Sequence, residues 1–200
     1  MKLAIIGATG LVGQKMLQVL EEQKIRLDEI IVAASEKSVG KKILFQDKEL
    51  TVMSVEQAIE AKPNIAIFSA GADASHKYAP LFATNGTYVI DNSSAWRKNP
   101  NIPLVVPEIN ASDIKIDNHI IANPNCTTIC MLMALAPLHR RYKVKRLVIS
   151  TYQSVSGSGQ KGLNQLALEQ KGLRADNPAY PCQIHENVIP HGGNFLENNY

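Results

Sequence analysis

The residue in this chain best placed for covalent chemistry is a cysteine at the start of a helix. Asn123-Pro124-Asn125-Cys126-Thr127-Thr128 leads into the apolar run Ile129–Leu135. Asn125 has the side chain of an N-cap, which puts Cys126 in the first helical turn. Unpaired amides and the positive end of the helix dipole stabilise a thiolate there. A thiolate so placed attacks a carbonyl, and the same amides can hold the resulting oxyanion. On these residues alone a buried, inert thiol is an equal reading. Cys130, one turn further on, is expected to be a small apolar filler. Cys182 lies near His185 and His191, but scattered ligands on a loop do not make a zinc site, and no metal is expected.

A second chemical signal opens the chain. Gly7-Ala8-Thr9-Gly10-Leu11-Val12-Gly13 stands between the apolar run Lys2–Ile6 and an amphipathic stretch with Val12, Met16, Leu17 and Leu20 on one face. Glycines at this spacing let a backbone turn tightly and approach a pyrophosphate, which then meets a helix N-terminus. A plain strand–helix turn that needs positive φ is the other reading of the motif. The next strand ends Ala33-Ala34-Ser35-Glu36-Lys37-Ser38, with Lys41-Lys42 following. Hydroxyls at Ser35 and Ser38 and the charge of Lys37 suit the 2′-phosphate of NADP. Glu36 argues the other way, because an acid near this point holds the free ribose hydroxyl of NAD. Lys41-Lys42 reads equally as a solvated loop.

Alternating short apolar runs and helical patterns must position these residues. Strands are expected at Lys2–Ile6, Ile30–Ala34, Asn64–Ala70, Tyr88–Asp91, Leu104–Val106 and His119–Ala122, with a hairpin around Gln46-Asp47-Lys48. Helices are expected after Gly10, over Val55–Ala61 and over about Asp73–Thr84. This alternation predicts an α/β fold, a Rossmann-type doubly wound parallel sheet over residues 1–123. Residues 124–200 read as the first part of an α+β catalytic and dimerisation domain. It holds a helix from Cys126 to about His139, a strand at Arg146–Gln153, and a helix ending near Lys171.

Bulk composition is ordinary for a soluble protein: 45% hydrophobic, 20% charged, net charge +3. No run of Lys or Arg exceeds two, so no nucleic-acid partner is expected. The longest apolar stretch, Ile129–Leu138, is too short to span a bilayer, so no membrane partner is expected either. The N-terminus reads as a strand and not as a leader. Three cysteines suggest reduced thiols and a cytoplasmic location.

The wording around Cys126 resembles the active-site segment of aspartate-semialdehyde dehydrogenases. Further segments are similar to that family's and fall in its order. They are Gly7–Gly13, Ser69-Ala70-Gly71, Asp91-Asn92-Ser93-Ser94-Ala95-Trp96-Arg97, Val106–Asn110, Tyr152–Gly157 and Asn187-Val188-Ile189-Pro190-His191. The resemblance implies Cys126 as nucleophile and Gln153 as the residue orienting the bound acyl group. It implies NADP contacts from Gly7, Thr9, Gly10, Leu11, Val12, Ser35, Lys37, Ser38, Ser156 and Gly157. Arg97 would take the substrate's phosphate, since a guanidinium makes a fork to phosphate oxygens. The implied reaction converts L-aspartyl 4-phosphate to L-aspartate 4-semialdehyde. It serves lysine, threonine, methionine and diaminopimelate biosynthesis, in a homodimer or homotetramer.

Glyceraldehyde-3-phosphate dehydrogenase shares the Cys-x-x-x-Cys spacing, but its cofactor turn has a different glycine pattern. N-acetylglutamyl-phosphate reductase has other residues around its cysteine. A third alternative is a non-catalytic NADP-binding fragment. It arises because the family's later lysine, its carboxylate-binding arginine and its acid–base histidine have no match here. His76, His119, His139, His185 and His191 do not fit that histidine's motif. The 200 residues are thus expected to be the N-terminal part of a longer member. Losing general acid–base help costs about 10²–10⁴ in rate, and losing the carboxylate contact roughly 1.5–3 kcal/mol more. This chain alone is therefore expected to bind cofactor yet show no steady-state turnover with aspartate semialdehyde, NADP and phosphate. Activity near that of a longer relative would overturn this, and alanine at His185 and His191 would then locate the base.

Overall fold

A computed structural model describes residues 1–190 of the chain. The first compact unit, Met1–Thr151, is built on β1 (Lys2–Ile6). All of Leu3, Ala4, Ile5 and Ile6 are buried. Successive side chains of a strand point to opposite faces, so an unbroken apolar run requires cover on both. Leu3 and Ile5 join a cluster with Leu17 and Leu20 of α1 (Leu11–Glu22). Ala4 and Ile6 join another with Val55 and Ala58 of α2 (Val55–Glu60) and Ala79 and Phe82 of α3 (Ala72–Thr84). Phe82 meets Phe68 edge to face at 5.5 Å. The doubly wound expectation is thereby met.

The sheet is five-stranded and parallel, in the order β2–β1–β5–β6–β7. Here β2 is Glu29–Ala33, β5 Ile65–Phe68, β6 Tyr88–Asp91 and β7 Ile120–Ala122. The chain leaves β1 to one side for β2 and later returns to its other side for β5. The carboxyl ends of β1 and β5 therefore form the switch point at which such sheets bind ligands. β3 (Lys42–Phe45) and β4 (Lys48–Thr51) make the expected hairpin, turned by Gln46 and Asp47 at positive φ. Ser54 and Gln57 close a reciprocal capping box on α2, at 3.2 and 2.9 Å.

Some expectations give way. The buried face of α1 is Gly13, Leu17 and Leu20, while Val12 is exposed. Leu104–Val106 makes only an isolated bridge, Leu104 to Ala122, because Pro107 at once begins the short α4 (Pro107–Asn110). Arg146–Gln153 forms no strand. Leu147, Val148, Ile149 and Tyr152 are exposed, and among the described residues no strand pairs with the segment; an extended run without a neighbour has no ladder to join. α5 (Cys126–Tyr142) is longer than expected.

A second compact unit begins at Tyr152. It contains a 3₁₀ turn, Val155–Ser158, and α6 (Gly159–Glu169). Gly162 seats the helix on the turn, because a Cβ there would stand 2.8 Å from the Val155 carbonyl oxygen. Gln165, 2% exposed, ties the following chain to α6. Its amide donates to Glu169 (2.7 Å) and to the Cys182 carbonyl (3.2 Å), and its Oε1 accepts from the Tyr180 N–H (2.9 Å). Glu169 in turn accepts from the amides of Ile184 (2.8 Å) and His185 (2.9 Å).

The bond from Gln165, joined by those two amides, holds the Glu169 carboxyl below its ordinary value against the opposing effect of burial. A carboxyl depressed in the folded state adds stability above its unfolded value and loses it as pH falls through the folded one. Amide protection at Ile184 and His185 is therefore expected to hold at neutral pH and to decline below about pH 4. Hydrogen exchange, expressed as protection factors, measures this. Protection unchanged down to pH 2.5, or a decline just as steep in Glu169→Gln, would refute it.

Candidate functional site

At the switch point the glycine turn is held by close backbone contacts. Gly7 has φ +89°, and a Cβ on it would lie 2.6 Å from the Ser69 carbonyl oxygen at the end of β5. A Cβ on Gly13 would strike the Gly7 carbonyl and lie 2.8 Å from Ala8 Cα. Gly7 and Ala8 donate to the Ala33 carbonyl, at 2.8 and 3.1 Å. Gly10 is the N-cap of α1 and offers no side chain. The first helical bond runs from the Gln14 N–H to the Gly10 carbonyl (2.9 Å), so the amides of Leu11, Val12 and Gly13 have no helix carbonyl to bond. Thr9 Oγ1 donates to Ser38 Oγ at 3.3 Å, which ties the turn to the 3₁₀ turn Glu36–Ser38 after β2. Ser38 is buried, while Ser35, Glu36 and Lys37 are exposed. The cradle fits a pyrophosphate: the amides of Leu11, Val12 and Gly13 have no helix partner, and Gly10 brings no side chain to the helix start.

A second cluster forms where β6 and β7 end. Asp91, fully buried, accepts from the Ser93 N–H (3.2 Å) and Oγ (2.7 Å). These bonds spare the carboxylate the cost of an unpaired buried charge. The Asn123 N–H donates to the Asp91 carbonyl at 2.8 Å. Asn123 Nδ2 donates to Asn92 Oδ1 at 2.6 Å. Arg97 then spans the two segments, with Nε donating to the Asn123 carbonyl (2.9 Å) and Nη2 to the Asn92 carbonyl (3.0 Å). Trp96 Nε1 donates to Ser75 Oγ at 2.8 Å, and its ring meets His76 at 4.8 Å. The ion pairs among the described residues are Met1–Asp28, Lys2–Glu29 and Lys42–Glu49. Arg97 is in none of them, so its charge stays available to an external anion.

Cys126 is the first residue of α5, as expected, and its thiol is exposed. Asn125 Oδ1 accepts from the Thr127 N–H (3.0 Å) and Oγ1 (2.6 Å). The N-cap thus takes the Thr127 amide and leaves that of Cys126 without a helix partner. Cys130 is also exposed, which corrects its reading as an apolar filler: no residue of α5 is buried in this unit. Cys182 is exposed too. Among the described residues no group of three or more His, Cys, Asp or Glu side chains is gathered as a metal would need.

Gln153, Ser156 and Gly157 come together in the second unit. Ser154 caps the 3₁₀ turn, and its Oγ accepts from Ser156 Oγ at 3.0 Å. A Cβ on Gly157 would lie 2.8 Å from Gln153 Cδ, so the glutamine side chain folds over that glycine. His185 is described within this unit, whereas His191 lies outside the described residues. The residues that sequence reasoning missed are Asn92 and Asn123. Their only sequence signal is polarity directly after two apolar strands.

Residues 2–116 match the model of the semialdehyde dehydrogenase NAD-binding domain, and residues 135–200 that of the semialdehyde dehydrogenase dimerisation domain. The aspartate-semialdehyde dehydrogenase of Aquifex aeolicus is 45% identical over 207 residues, covering 100% of this chain and 61% of the relative. That of Shewanella violacea is 41% identical, covering 98% of this chain and 60% of the relative. The crystal structure of aspartate semialdehyde dehydrogenase II from Vibrio cholerae, complexed with ASA, superposes with a TM-score of 0.91 at 43% identity. It covers 100% of this chain and 61% of that one. The chain thus spans about 60% of the length of the curated relatives it matches. With its glycine turn at the switch point and its cysteine at the start of α5, the chain belongs to the semialdehyde dehydrogenase family.

Proposed function

We propose that this chain carries the NADP-binding domain, residues 1–123, and the first part of the catalytic and dimerisation domain, residues 124–200, of an aspartate-semialdehyde dehydrogenase. The reaction is the reductive dephosphorylation of L-aspartyl 4-phosphate to L-aspartate 4-semialdehyde and phosphate. The observation that carries the reading is the tie between Arg97 and the Cys126 segment. A guanidinium with no ion-pair partner among the described residues is bonded to the carbonyl of Asn123, three residues before an exposed thiol at a helix start. An acyl phosphate needs this pairing, a cation for the leaving phosphate beside a nucleophile for the acyl carbon.

In this reading the Cys126 thiolate attacks the acyl carbon. A C–S bond forms, the C–O bond to phosphate breaks, and phosphate leaves against Arg97. The Cys126 amide, free at the helix start, faces the developing oxyanion. Gln153 orients the resulting thioester. NADPH, when bound, supplies the hydride that brings this thioester to the aldehyde level. Gly7, Thr9, Gly10, Leu11 and Val12 hold its pyrophosphate. Ser35, Lys37 and Ser38 take the 2′-phosphate side, and Ser156 and Gly157 complete its contacts. The match of residues 135–200 to a dimerisation domain supports an assembly of copies of this chain, a homodimer or a homotetramer. Among the described residues no helix is long and apolar enough to cross a membrane. The proposed place of action is the cytoplasm, in the synthesis of lysine, threonine, methionine and diaminopimelate.

NADPH is expected to bind roughly tenfold or more tightly than NADH, the value of a charge-assisted contact to the 2′-phosphate. Titration of both cofactors measures this, and equal affinity or a preference for NADH would sink the NADP assignment.

All three thiols are exposed, so access alone does not distinguish them. Cys126 should nevertheless alkylate near neutral pH on the order of tenfold faster than Cys130 or Cys182, because of its helix-start position. Peptide mass spectrometry after a short pulse of iodoacetamide decides. Faster labelling of Cys182 would count against Cys126 as nucleophile.

A further inference from the structure

Arg97 has five N–H donors in a planar fork. Two are committed to main-chain carbonyls, Nε to Asn123 and Nη2 to Asn92. Both lie on the same side edge of the guanidinium. The end edge, between Nη1 and Nη2, is left as the one bidentate face for an anion. Its direction is therefore fixed by where those two carbonyls sit. The carbonyls belong to the residues whose side chains bond each other at 2.6 Å, Asn123 Nδ2 to Asn92 Oδ1. Asn92 follows β6 directly and Asn123 follows β7. Their backbones are joined again by the Asn123 N–H to the Asp91 carbonyl. Buried Pro124 then leads stiffly from Asn123 to the N-cap Asn125 and to Cys126.

We propose that the Asn92–Asn123 side-chain bond is a positioning device that sets the direction of the Arg97 fork relative to Cys126, so that the substrate's phosphate is held with its acyl carbon before the thiol. This deepens the function proposed above and rests on it. Neither asparagine needs to touch substrate. Asn92 acts by presenting a carbonyl to Arg97 and an acceptor to Asn123. Asn123 acts by presenting the other carbonyl and by carrying the chain into the helix start. Without the side-chain bond both carbonyls remain, held by the Asn123 N–H to Asp91 bond and the strand pairing alone, and a bidentate fork loses its geometric advantage first.

The test uses inorganic phosphate as the probe and alkylation of Cys126 by iodoacetamide as the readout. In the unaltered chain, phosphate bound at Arg97 should protect Cys126, and Arg97→Ala should abolish protection. Asn92→Ala should raise the phosphate concentration for half-protection about tenfold while leaving the unprotected alkylation rate within about twofold. Asn123→Ala should give a similar loss of protection, and the double variant no more than either single one, because all three remove the same bond. No protection in the unaltered chain would overturn the phosphate reading and this inference together. Protection that Arg97→Ala abolishes but Asn92→Ala leaves intact would overturn this inference alone. So would additive losses in the double variant, or an equal loss of protected and unprotected reactivity, which is the mark of a merely structural role.

Discussion

Gly13 lies against Gly7 with no space for a carbon atom between them, and Gly7 lies as closely against Ser69. These contacts bring the start of α1 down onto the ends of β1 and β5. A side chain at either glycine would push the helix away from the switch point. The rest of the first unit is arranged around that approach. Leu17 and Leu20 reach the face of β1 that carries Leu3 and Ile5 only because Gly13 lets the helix descend. The free amides of Leu11 to Gly13 face the carboxyl edge of the sheet for the same reason. Helix packing and the placement of those free amides thus rest on a single steric fact.

The second cluster obeys a different constraint. Asp91 is a carboxylate with no exposed surface at the end of an apolar strand. Burial of that kind is tolerated only when the charge is bonded, and Ser93 bonds it twice. This folds the chain after β6 back on itself, which brings the Asn92 carbonyl toward β7 and lets Arg97 reach across to Asn123. A buried acid therefore shapes a loop whose product is a cation in no ion pair among the described residues. Trp96, anchored on Ser75 and packed on His76, pins the same loop to α3.

In the second unit the organising side chain is a neutral amide. Gln165 has almost no exposed surface, and both ends of its amide are used. Together with Glu169 it gathers Tyr180, Cys182, Ile184 and His185 onto one helix. A segment rich in proline and polar residues has little apolar surface to bury. It is held by hydrogen bonds to α6, two of them accepted by the Glu169 carboxylate.

What was legible in the sequence was whatever depends on local spacing. The apolar runs gave the strands of the sheet because a buried strand needs no alternation. The glycine spacing gave the turn, and Asn125 gave the start of α5, because caps and tight turns are decided within a few residues. Arg146–Gln153 misled for the complementary reason. Its composition favours a strand, but a strand exists only with a partner, and none pairs with it among the described residues. Cys130 misled likewise, since a helix position is apolar or exposed according to what packs on it. Asn92, Asn123 and Asp91 carried no local signal beyond polarity at the ends of two apolar strands. Asn92 and Asn123 stand 31 residues apart in the chain, and they meet only because β6 and β7 lie side by side in register. Residue types and their spacing determined which groups could do chemistry; the parallel pairing of the sheet decided which of them share a site, because only that pairing brings distant strand ends to one edge.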